Sequence, residues 1–172
     1  MTGLAATSGF RAIRMEYDIR LEQHSRRPLA VVRRRAGLQE LAKIIPEACG
    51  TVWSVLRAQK VPGAGRHVAL YWDDEFNLEV GVELDSPFAG HGEVVSSATP
   101  AGALATAVHF GPYDRLPEAH QAIRRWCAHH GYTLAGPNWE IYGHWIHDWC
   151  ADPAKIRTDV FYLVKVDREL AG

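Results

Sequence analysis

Two four-residue stretches, Ile45-Pro46-Glu47-Ala48 and Leu116-Pro117-Glu118-Ala119, stand 71 positions apart and decide how the rest of the chain is read. Held at that offset without a gap, the chain also lays Val52 on Ile123, Ala64-Gly65 on Ala135-Gly136 and Tyr71 on Tyr142. The identities are few, but they fall on punctuating residues: a proline at a helix start, a glycine in the loop, a tyrosine in the next strand. Self-similarity at a fixed offset points to one supersecondary unit present twice.

Each proline suits the first turn of a helix, where its missing N–H would have no partner and its fixed φ is already helical. After Pro46 the apolar set Ala48, Val52, Val55 and Leu56 recurs at helical spacing, as does Ala119, Ile123, Trp126 and Cys127 after Pro117. Both spacings predict helices with one buried face. Gly63 and Gly65 close the first connection, Gly131 is a natural left-handed cap, and Gly136-Pro137 reads as a turn. Between Phe76 and Asp85, Leu78, Val80, Val82 and Leu84 alternate with Glu79, Gly81, Glu83 and Asp85, the pattern of a half-buried strand. His67 to Trp72 pairs with it across the acidic turn Asp73-Asp74-Glu75. Asn138 to Ile146 and Thr158 to Lys165 form the equivalent hairpin, connected through Asp148, Asp152 and Pro153. Each half opens with a strand, Tyr17 to Arg34, broken near Pro28, and Ala103 to Phe110.

Residues 1–14 lack any period and read as a flexible extension; 15–172 read as one α+β domain with halves at about 15–95 and 96–172. The expected architecture is two pseudo-symmetric βαββ units sharing an antiparallel sheet, with helices on one face.

Composition narrows the function classes. Nineteen basic and twenty acidic residues give a net charge of −1, so direct nucleic-acid binding is not expected; the one basic run, Arg33-Arg34-Arg35, lacks interleaved aromatics. No stretch has the length and apolarity of a membrane span, and nothing near Met1 has the makeup of a signal peptide. Three cysteines, Cys49, Cys127 and Cys150, are odd in number and widely spaced, which fits a reducing cytoplasm rather than a disulfide framework. His144, His147 and Cys150 do not have the spacing of a metal site, and none is expected.

The run His109-Phe110-Gly111-Pro112-Tyr113, then Leu116, Ala119-His120, Trp126, Gly131-Tyr132, Ala135-Gly136-Pro137, Trp139-Glu140-Ile141-Tyr142, Asp152-Pro153 and Thr158-Asp159-Val160 resembles the GyrI-like small-molecule-binding family. That family is related to the effector-binding domains of AraC-type and MerR-type multidrug regulators. In the first half Arg35-Ala36-Gly37 stands where a Gly-Pro-Tyr would precede the helix. The resemblance implies a groove between the two units that takes flat, apolar, often cationic molecules, with no required metal or organic cofactor. Some members are fused to DNA-binding modules, and others are free-standing, including a branch that hydrolyses cyclopropane-containing toxins.

Glu140 is the leading candidate site residue, because it sits mid-strand between Trp139 and Ile141 where an apolar residue is ordinary. It shares a face with Tyr142 and His144, since side chains two apart point the same way. A carboxylate there costs free energy unless a neighbour or a cationic ligand pairs it. It therefore reads as a ligand anchor or, if desolvation raises its pKa, as a general acid or base working with Tyr142 or Tyr113. The plain alternative is a structural glutamate bonded to a tyrosine. Tyr71, Tyr142, Tyr113, Trp53, Trp72 and Trp139, with His109, are the candidate ligand-contacting rings, while alternation turns Trp139 and Trp145 away from Glu140. The expected function is a free-standing binder of small hydrophobic or cationic aromatic compounds, for drug or toxin sensing or sequestration; the alternative is hydrolysis of an electrophilic toxin in the same pocket.

Overall fold

The apolar alternations pair, in a computed structural model that describes residues 16–145 and 147–166, into one antiparallel sheet of eight strands. In chain order the elements are β1 (Arg20–His24), β2 (Pro28–Arg35), α1 (Leu41–Ala58), β3 (Ala64–Tyr71), β4 (Asn77–Leu84), β5 (Val95–Ala98), β6 (Gly102–Phe110), α2 (Leu116–His129), β7 (Thr133–Tyr142), α3 (Asp148–Ala151) and β8 (Arg157–Lys165). The expected extension over 1–14 lies outside the described residues.

The sheet order is β1-β6-β8-β7-β3-β4-β2-β5. It contains two β-α-β-β units, β2-α1-β3-β4 and β6-α2-β7-β8, joined side by side through β3 and β7. Across that seam His67 lies opposite Tyr142, Ala69 opposite Glu140 and Tyr71 opposite Asn138. Adding the 71-residue offset converts these pairs into one another, so a pseudo-twofold axis passes through the Ala69–Glu140 pair. Both seam strands also break register at matching places, between Ala64 and His67 and between Leu134 and Asn138.

Two short crossovers dictate the sheet's shape. Only residues 25–27 separate β1 from β2, and only 99–101 separate β5 from β6, yet each crossover joins strands six places apart in the sheet. On a flat sheet that separation is about 29 Å, whereas the chain between the joined ends spans at most about 14 Å. The sheet therefore curls until its margins approach. The crossing arms bond to each other where they meet: Arg27 N–H donates to Thr99 Oγ1 (3.0 Å) and Thr99 N–H to the Arg27 carbonyl (3.0 Å).

Curling buries both sheet faces. Leu29, Val31, Val68, Leu70, Leu104, Trp139, Ile141 and Phe161 fill the side away from the helices. On the other side α1 covers β2, β3 and β4 through Ala48, Val52 and Leu56, and α2 covers β6 and β8 through Leu116, Ala119, Ile123 and Cys127. Tyr142 packs against both of these helix-side cores.

Four expectations are corrected. The stretch 17–34 is not one interrupted strand, because β1 pairs with β6 at one margin and β2 with β4 and β5 at the other. β4 is buried on both faces rather than one; Glu79 and Glu83 are 3% and 5% exposed because the curl closes over them, and Arg27 and Arg66 bind Glu83. Pro46 lies inside α1, since the helix begins at Leu41 after a 3-10 turn over Leu38–Glu40; it removes one backbone bond, to Ala42, near the helix start. Gly136-Pro137 is not a turn between elements but the bulge within β7, where a residue without an N–H is tolerated.

Candidate ligand-binding cleft

Between α1 and α2 the sheet's seam is left uncovered, and a cleft of about 1460 Å³ opens there. Its floor comes from the helix-side residues of β3 and β7: His67 and Tyr71 on one strand, Asn138, Glu140 and Tyr142 on the other. Its walls are Ile45, Cys49 and Trp53 of α1 and Pro117, His120 and Arg124 of α2. Tyr113, His144 and Trp145 rim one part of it and Asp73, Asp74 and Phe76 another.

The pseudo-symmetry makes the two walls chemically unequal. At the 71-residue offset Ala69 corresponds to Glu140, Cys49 to His120 and Trp53 to Arg124. The half carrying α1 thus gives an alanine, a thiol and an indole where the other half gives a carboxylate, an imidazole and a guanidinium. Ala69 has no bulk to compete for the axis, so the Glu140 side chain takes it.

Glu140 is 6% exposed and bonded on both oxygens by an imidazole and a phenol. His120 Nε2 lies 2.7 Å from its Oε1, and the Tyr142 hydroxyl donates to its Oε2. On its other nitrogen, Nδ1, His120 meets the Tyr162 hydroxyl at 2.6 Å. With Glu140 ionised and the imidazole neutral, the roles are fixed: Nε2–H donates to the carboxylate and Nδ1 accepts from Tyr162. Among the described residues no lysine or arginine pairs with Glu140; Arg124 instead stands over the Tyr162 ring, 5.7 Å from its centroid. Burial and the Glu140 charge push the Tyr142 and Tyr71 hydroxyls well above the usual phenol range, so both stay protonated donors. Burial likewise raises the Cys49 thiol to about 12, leaving it neutral.

On the α1 side the Trp53 indole N–H donates to His67 Nε2 at 2.6 Å, which requires a neutral imidazole protonated on Nδ1. Burial, then the nearby His144, holds His67 below the usual histidine value. Tyr113 meets Tyr142 edge to face, ring centroids 5.7 Å apart.

Of the sequence candidates, Glu140, Tyr142, Tyr71, Tyr113 and Trp53 converge on the cleft. Three do not. Trp139 points to the opposite face, 2% exposed and stacked on Phe161. Trp72 donates its indole N–H to Glu79 at 3.0 Å, outside the cleft. His109 on β6 is fully buried: Nε2–H donates to the Pro112 carbonyl (3.1 Å), and Nδ1 lies 2.9 Å from the Tyr17 hydroxyl. Trp145, set aside by alternation, reaches the rim because β7 ends at Tyr142 and alternation no longer governs it. Sequence reading gave no role to His120, Tyr162, His67 or Asn138. His120 was findable, since it flanks the apolar stripe of α2 at the repeat position of Cys49; Tyr162 carries no such signal.

A two-unit antiparallel α+β scaffold with an aromatic cleft on its pseudo-twofold axis defines a small-molecule-binding module. The GyrI-like small molecule binding domain model matches residues 17–165, and the chain belongs to that family. The EcmrR C-terminal domain is similar in structure, with a TM-score of 0.70 and 25% identity over 89% of this chain and 100% of that one. EcmrR in its DNA complex superimposes equally well (TM-score 0.70, 23% identity), covering 88% of this chain; this chain spans only 58% of that one. SAV2435, solved bound to tetraphenylphosphonium, has a TM-score of 0.62 at 12% identity over 88% of this chain and 94% of that one. No curated protein matches the sequence.

Proposed function

We propose that the cleft binds lipophilic organic cations with flat or aromatic surface, and that Glu140 supplies the charge they meet. One observation carries this reading: among the described residues, a carboxylate on the pseudo-twofold axis is hydrogen-bonded by an imidazole and a phenol, with aromatic rings around it and no guanidinium or ammonium paired with it. Its charge is held in place and left available. Tyr71, Tyr142, Tyr113 and Trp53 offer faces and edges to the same volume, and each good cation–π contact is worth about 0.5–2 kcal/mol. The tetraphenylphosphonium held by SAV2435, on the same fold, is a ligand of this kind.

Titration calorimetry with tetraphenylphosphonium and with neutral triphenylphosphine oxide tests the proposal. Glu140→Gln keeps the side-chain shape and is expected to weaken the cation at least tenfold, about 1.4 kcal/mol, while leaving the neutral compound alone. Equal cation binding by wild type and variant would remove Glu140 as the anchor, and no cation binding by wild type would remove the reading.

A further inference from the structure

His120 joins two groups that differ in kind, and that difference makes its protonation state consequential. On one side stands the Glu140 carboxylate, which only accepts; on the other stands the Tyr162 hydroxyl, which can donate or accept. A neutral imidazole donates from Nε2 and accepts at Nδ1. An imidazolium donates from both nitrogens, and Tyr162 need only rotate its hydroxyl to receive the second bond. His120 keeps both of its bonds in either state, with the Tyr162 O–H turned away from Nδ1 in the second, so changing between them alters the charge of the floor while the Glu140–His120–Tyr162 chain persists. With neutral His120 the Glu140–His120 pair carries one negative charge; with imidazolium it carries none.

We infer that His120 sets the ligand class of the cleft: neutral, it leaves Glu140 free to hold a cation, and protonated, it cancels Glu140 and leaves a pocket for uncharged molecules of the same shape. The inference rests on the cation-binding reading and adds its regulation. By linkage the effect is reciprocal: a bound cation disfavours the imidazolium, so cation binding releases a proton. Cation affinity is therefore higher where His120 is neutral than where it is protonated, and falls with falling pH.

The other charged and titratable groups around His120 do not share this behaviour. Arg124, one turn along α2, is permanently charged. From β7, β8 and β3 come Tyr142, Tyr162 and Tyr71, all held above the usual phenol value, chiefly by burial; from α1 comes the Cys49 thiol, also raised by burial. Asp74, on the turn after β3, is close enough for its charge to act on Tyr162. Burial and His144 disfavour charging of His67. His144 itself is exposed on the rim, and a positive charge there would also repel a cation, so it needs its own control.

The experiment measures tetraphenylphosphonium and triphenylphosphine oxide affinities of the full chain at about pH 8 and about pH 5.5, spanning imidazole titration, at constant ionic strength. Wild type is expected to lose at least tenfold in cation affinity at the lower pH with no change for the neutral compound. His120→Gln, whose amide N–H₂ can replace Nε2–H toward Glu140, is expected to bind the cation with little pH dependence, and His144→Gln, whatever its absolute affinity, to keep the loss at the lower pH. A flat wild-type profile, or a slope that survives in His120→Gln, overturns the inference while leaving the cation site standing. No cation binding at either pH overturns both. Should His120→Gln not fold, calorimetry of His144→Gln at about pH 6.5 in two buffers of different ionisation enthalpy decides: proton release on cation binding is expected, and none refutes it.

Discussion

Replacing Gly81 with alanine tests the close strand contact that underlies the wall of the cleft. Gly81 lies mid-β4, opposite Val31 of β2 and Val68 of β3. A Cβ there would stand 1.9 Å from the Ala30 carbonyl oxygen and 2.8 Å from the Val31 Cα, both backbone atoms. Relief requires β2 to withdraw by about 1.5 Å or more to reach ordinary contact. β2 has nowhere to go: Ala30 and Val32 are wedged into the α1 core, Leu29 and Val31 into the opposite core, all 0% exposed, and β5 holds its far edge. Overpacking costs about 1–3 kcal/mol and one or two lost ladder bonds about 1 kcal/mol each, so the expected loss is about 2–5 kcal/mol. For a chain of this size that lowers Tm by about 10 °C. Urea and thermal unfolding measure it, with Gly50→Ala as control: nothing lies within 4 Å of its would-be Cβ, and alanine in a helix is expected to add about 0.5–1 kcal/mol. Because Cys49 Sγ donates to the Gly81 carbonyl at 3.9 Å, α1 is disturbed with β4, and tetraphenylphosphonium affinity is expected to fall too. A Gly81→Ala protein within about 1 kcal/mol of wild type would refute the strand approach from which these figures come.

Ile123→Ala empties a fully buried position between α2 and the strands of the second unit and is expected to cost about 2–5 kcal/mol in urea unfolding; a loss near zero would mean α2 is not seated as described. His67 has its folded pKa depressed, so the unfolded chain takes up the proton first as pH falls: its contribution to stability is whole above about 6.5 and is lost toward its lower folded value. His67→Gln, which can still accept from Trp53, should flatten that part of the stability–pH curve, and an unchanged curve would place the titration elsewhere. Among the three thiols only Cys150 is exposed, so Ellman's reagent should react quickly with one equivalent and with none in Cys150→Ala; fast reaction of Cys49 would contradict its burial and raised pKa.

The local signals in the chain were strong where one residue type has one use. The paired prolines, the cap at Gly131 with φ +74°, the alternation of residues 78–84 and the 71-residue offset sufficed for two βαββ units and for a glutamate facing the seam. They sufficed because periodicity and backbone restriction act within a few residues. What lay beyond them was decided by the curl. The fate of β1 and β5, exchanged between the margins, depends on how far apart strands six places removed come to lie, which no local pattern encodes. The burial of Glu79 and Glu83 follows from the same closure. The cleft's chemistry needed two residues distant in sequence: His120 on α2 and Tyr162 on β8 reach Glu140 only because α2 lies across β7 and β8. Sequence by itself determined which strand would bear the carboxylate and which way it would face. Tertiary structure alone determined that its partners among the described residues are an imidazole and a phenol, because hydrogen-bond partners are set by distance through space and not by spacing along the chain.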